Sequence, residues 1–71
     1  MDKEFIKFSM QYELIRLLHV AKLGFSYVAT MDKFRAIGYF SALRDLKIIS
    51  DDTYKRCHNL IYLICKKYNI Y

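Results

Sequence analysis

The side chains with the most specific chemistry in this 71-residue chain are two cysteines, Cys57 and Cys65, and two imidazoles, His19 and His58. A metal site needs Cys57, His58 and Cys65 to converge, yet neighbours on a helix point roughly 100° apart, and neither CxxC nor HxxxH spacing is present. The cysteines are eight positions apart, about 12 Å along a helix axis. That is too far for a disulfide, which needs Cα atoms within about 7 Å. The same spacing returns both thiols to one face, where free cysteine behaves as a small hydrophobe, and unbridged cysteines suit a reducing, cytoplasmic setting. There is no Gly-rich phosphate loop and no Ser-His-Asp order. The expectation is a non-enzymatic chain with no cofactor, no metal and no small-molecule substrate.

What the chain has in excess is apolar and aromatic material. Hydrophobic residues make up 55% and aromatics 17%, more than three short helices can hide among themselves. The surplus lies in the first helical segment. Ile6, Met10, Leu14, Leu17, Leu18 and Ala21 form one apolar stripe, while Phe8, Tyr12, Ile15 and His19, flanked by Phe5, form a second at spacings of i, i+4, i+7 and i+11. A helix that is apolar on two sides is sandwiched between its own domain and something else. Phe5, Phe8, Tyr12, Ile15 and His19 are therefore the expected protein interface, unless the segment Phe25–Met31 folds back over them.

The cations supply the other candidate surface. Twelve Lys and Arg against seven Asp and Glu give a net charge of +5, with +1 in residues 1–31 and +4 in residues 32–71. Lys55, Arg56, Asn59, Lys66 and Lys67 lie along the last segment, opposite its apolar side, and Thr53 stands near its start. Together with the leucines at 43 and 46 and a serine at 50, the run from Leu43 to Cys57 resembles the helix-turn-helix class of small regulators. The resemblance implies DNA recognition by the final helix. Arg44 stands where that class carries a small residue and Ile48 where its turn carries glycine. Asp51 and Asp52 would meet the phosphates with like charge.

The elements that must position these residues are helices. Proline is absent and glycine occurs only at 24 and 38, which argues against a turn-rich β fold. Asp2 caps a helix over about 3–23 that Gly24 stops. Phe25–Thr30 reads as a loop, and Asp32 falls in the first turn of a second helix over about 31–46. That helix presents Ala36, Tyr39, Phe40, Leu43 and Leu46 on one side, with Gly38 reserved for close approach of a neighbour. Lys47–Ile49 connects tightly to a third helix over 51–68. Ser50 caps it, Asp51 and Asp52 oppose its positive end, and Lys66 and Lys67 its negative end. Tyr54, Cys57, Leu60, Ile61, Ile64, Cys65 and Tyr68 face inward, and the tail Asn69–Tyr71 is expected to fray.

The expected fold is a compact all-α three-helix domain, one unit over 1–71, dimerising through its first helix. No signal peptide is evident and no window has the ~18 apolar residues of a membrane span, so no membrane role is expected. The leading functional expectation is a protein-interaction module that binds itself, another protein, or both. Small helical proteins of this composition are common in phages and other mobile elements of AT-rich bacteria, so a stoichiometric inhibitor or modulator of a host protein is one form it takes. DNA binding through the third helix is the alternative.

Overall fold

The computed structural model describes residues 2–70. Three α-helices follow one another, α1 Lys3–Lys22, α2 Ser26–Asp45 and α3 Asp51–Tyr68, and each packs on the other two. The largest fully buried side chains are Leu17, Phe40 and Ile61, one from each helix. Fully burying a side chain of this size contributes about 1.5–3 kcal/mol. Ala21, Ala29 and Ala36 fill the space around them and let the first two helices come close, while Cys57 and Cys65 close the core from α3.

The helix starts follow the caps. Asp2 Oδ1 accepts from the Glu4 backbone N–H at 2.9 Å, and Ser50 Oγ accepts from that of Thr53 at 3.1 Å. The three ends share one device, a residue in the left-handed region just past the helix: Gly24 (φ 79°), Lys47 (φ 60°) and Asn69 (φ 56°). After α1, the N–H groups of Gly24 and Phe25 reach back to the carbonyls of Ala21 and Val20. After α2, those of Lys47 and Ile48 reach the carbonyls of Arg44 and Leu43. Both are Schellman closures, which satisfy carbonyls that the helix leaves without partners.

Several expectations are corrected. Residues 26–30 are not a loop but the opening of α2, which starts five positions earlier than 31. The Schellman turn at Gly24 reverses the chain at once, Phe25 O accepts from the Ala29 N–H at 2.8 Å, and Thr30 Oγ1 donates to Ser26 O. Asp32 is accordingly not a first-turn residue; it lies inside α2 and is the one buried charged or polar residue among those described. Gly38 has no close neighbour among the described residues, since a Cβ built there meets nothing within 4 Å. Leu46 and Leu60, expected inward, are exposed, Leu46 because it lies beyond the last turn of α2. The tail does not fray at Ile70, which is buried and donates its N–H to Cys65 O at 2.8 Å. Tyr71 lies outside the described residues.

Three contacts fix how α1 and α2 lie side by side. Arg16 Nε donates to Asp32 Oδ2 at 3.2 Å, Arg35 to Glu13 Oε1 at 3.3 Å, and the Ser9 and Tyr39 hydroxyls share a hydrogen bond. Residue 9 meets 39, 13 meets 35 and 16 meets 32, so each step along one helix matches an equal and opposite step along the other. The hairpin is antiparallel and in constant register.

Two stability predictions follow. Lys47→Gly removes the Cβ crowding of the left-handed conformation and should stabilise the fold by about 0.5–1 kcal/mol in urea titrations. Arg16→Met should lower the urea midpoint, because it leaves the buried Asp32 carboxylate without its ionic hydrogen bond. An unchanged midpoint would show that water replaces the guanidinium without cost.

Candidate interaction surface

On α1 the buried residues Ile6, Leu17 and Ala21 occupy one side, and Phe5, Phe8, Tyr12, Ile15 and His19 occupy the other. All five are exposed, with Phe8 at 69% and Ile15 at 64%. The segment from Phe25 does not cover them, because it forms the first turns of α2 and is itself exposed.

The structure adds a second half to this surface that sequence reasoning missed. On α2, opposite Ala29, Ala36, Phe40 and Leu43, an exposed stripe runs through Tyr27 (78%), Met31 (57%), Phe34 (63%), Gly38 and Ala42. Tyr27, Met31, Phe34 and Gly38 recur at i, i+4, i+7 and i+11, the same period as on α1. That signal was present in the residues, but reading 25–30 as a loop cut Tyr27 off from it. The Arg16–Asp32 and Arg35–Glu13 pairs form the strip between the stripes. The Tyr12 hydroxyl and then Asp32 hold the Arg16 pKa above its ordinary value. Both stripes lie away from the side on which α3 closes the core, with Phe34 at the edge where it also lines the groove between α2 and α3, so together they make one face of the hairpin.

The size of this face can be gauged. At roughly 150–250 Å² per aromatic side chain, the half to three-quarters exposed Phe, Tyr, Ile, Leu and Met side chains of the two stripes leave roughly 1,000 Å² uncovered. The largest apolar patch of an ordinary monomer is about 300–600 Å².

The residues expected to meet DNA are placed differently. Lys55, Arg56, Asn59, Lys66 and Lys67 are exposed along the back of α3, but Leu60 and Leu63 are exposed among them and interrupt the basic surface. The Thr53 hydroxyl is engaged with Ser50 Oγ. Arg44, the residue out of place for a helix-turn-helix, lies 4.1 Å over the Tyr54 ring and fills the junction of α2 with α3.

The remaining candidates stay apart. His58 is exposed, its ring tilted 47° against that of Tyr54 with centroids 5.9 Å apart, and no group of three or more His, Cys, Asp and Glu among the described residues is arranged to hold a metal. A groove of about 490 Å³ between α2 and α3 and one of about 640 Å³ between α1 and α3 have mainly apolar linings that include lysines. No helix is long and apolar enough to cross a membrane. Cys57 and Cys65 are free and buried, and burial pushes both thiols up. They should therefore react with a disulfide reagent much more slowly in the native protein than in denaturant. Equal rates would mean that the α3 side of the core opens freely.

Compared with known protein families, curated proteins and solved structures, this chain matches none.

Proposed function

We propose that this protein is a small interaction module that acts by burying the outer face of its α1–α2 hairpin, first of all against a second copy of itself. What supports the reading is the uncovered apolar area. Roughly 1,000 Å² on one side of so small a domain is the scale of a stable interface, which buries about 800 Å² per partner. Tyr, Phe and Met are also the side chains enriched at interface centres. A chain of 71 residues has little core to spare, so association also supplies stability that the single domain lacks.

The module works by occupancy rather than catalysis, in a reducing compartment where Cys57 and Cys65 remain thiols. Where another protein offers a matching apolar face, the same surface serves a stoichiometric inhibitor or modulator. The two occupants then compete, because each covers the same stripes.

Phe8→Glu combined with Ile15→Glu tests the reading while leaving the Arg16–Asp32 pair in place. Wild-type protein should show a concentration-dependent mass in light scattering, and a melting temperature that rises with protein concentration. The double variant should be monomeric, equally helical, and melt at one temperature at all concentrations. A wild type that stays monomeric to millimolar concentration removes the reading. Retention of the double variant on duplex DNA at low salt, abolished by Lys55→Glu with Arg56→Glu, would put the α3 back in its place.

A further inference from the structure

We infer that the two copies meet with α1 antiparallel to its own counterpart, about a two-fold axis that crosses α1 between residues 13 and 14 and α2 near residue 35. This rests on the self-association reading above and adds the orientation and the contacts.

Charge selects the orientation. The exposed stripe of α1 is bordered on the flank away from α2 by Glu4 in the first turn and Lys22 in the last. When two identical helices pack antiparallel across a two-fold axis, like flanks meet. Glu4 then faces Lys22 of the second copy, and the pair occurs twice. Along the centre Phe8 meets His19 and Tyr12 meets Ile15, while on the other flank Phe5 meets Leu23. Parallel packing instead sets each flank against its opposite. It places Glu4 beside Phe5, Lys22 beside Leu23, and the two helix dipoles side by side in the same direction.

Area agrees with charge. The antiparallel arrangement lays α2 over α2 as well, so both stripes are covered at once, whereas a parallel α1 pair leaves the α2 stripe bare. The hairpin register carries the axis across: residue 13 of α1 lies level with residue 35 of α2. About that point Met31 falls opposite Gly38 of the second copy, and Tyr27 opposite Ala42. Away from the axis large side chains thus meet small ones along the α2 contact, and Gly38, with open space around it in the single chain, acquires a neighbour. Near the axis Phe34 meets Phe34 of the second copy, and Arg35, on the flank toward α1, meets Arg35, each already matched in charge by its own Glu13.

The test is a charge exchange read by sedimentation equilibrium at low salt. Glu4→Lys alone and Lys22→Glu alone should each weaken association about tenfold, since each turns two attractions into repulsions. The two together should restore it to within about threefold of wild type. Gly38→Gln, which adds a good helix former where the single chain has room, should weaken association more than tenfold while raising the melting temperature of the Phe8→Glu, Ile15→Glu monomer. In oxidising buffer, Glu4→Cys mixed with Lys22→Cys should give a linked pair, and Glu4→Cys alone should not. A wild-type dimer in which the double exchange fails to restore association, or in which Glu4→Cys links to itself, overturns the orientation and leaves self-association standing. A wild type that never associates overturns both.

Discussion

A helix in a bundle of three has two neighbours, so one side of it always faces out. For α3 that side carries Lys55, Arg56, Asn59, Lys66 and Lys67 with Leu60 and Leu63 among them, and water solvates the charged groups. For α1 and α2 it is aromatic and aliphatic, and nothing within the chain covers it. Leu17, Phe40 and Ile61 already complete the core from the inner sides. The outer stripes would need a fourth layer for which the described residues hold no further segment. The molecule measures 34 × 19 × 15 Å, so one such face is a large part of its surface.

The same constraint explains the polar contacts of the hairpin. Two apolar helices with no glycine in their contact could slide along one another by a turn at small cost. Ser9–Tyr39, Glu13–Arg35 and Arg16–Asp32 form a ladder at constant register that a slip of one turn would break entirely. Asp32 is the buried member, and its carboxylate is the group that pays most for losing its place. Individually exposed ion pairs contribute little. Here their joint effect is to hold the two outer stripes level, which any partner requires before it can cover both.

Much of this was legible in the sequence, because capping is local. Asp2, Gly24, Ser50 and the charges at the two ends of α3 act within a turn of themselves, and they placed α1 and α3 to within a residue. The start of α2 was hidden for a physical reason. Phe25 occupies the cap position and offers no side-chain acceptor, and Val28 and Thr30 are β-branched, so the segment has the composition of a loop or strand. Tertiary burial of Ala29 and the Schellman turn before it override those propensities. Lys47 in the left-handed region likewise carries no mark in its residue type, and Ile70 becomes buried only because Asn69 turns it back onto α3. On the candidate surface, the α1 half was readable from its own period. The α2 half required knowing that 26–30 is helix.

The self-association and DNA-binding readings cannot both hold in the usual dimeric form. Regulators of the helix-turn-helix class set two recognition helices on the same side of the dimer, one helical turn of DNA apart, so that both enter one face of the duplex. In this chain α3 closes the core on the side opposite the outer face of the hairpin. Two copies joined through that face therefore carry their α3 helices on the two outermost sides, with the basic backs pointing away from each other. A single straight duplex then reaches only one of them, and Lys55, Arg56, Lys66 and Lys67 of the two copies lie at opposite poles instead of together on one side. Whatever covers Phe8, Ile15, Tyr27 and Met31 thus also decides what the lysines of α3 are able to do, and in a dimer built on the hairpin their simplest role is to keep an otherwise apolar assembly in solution.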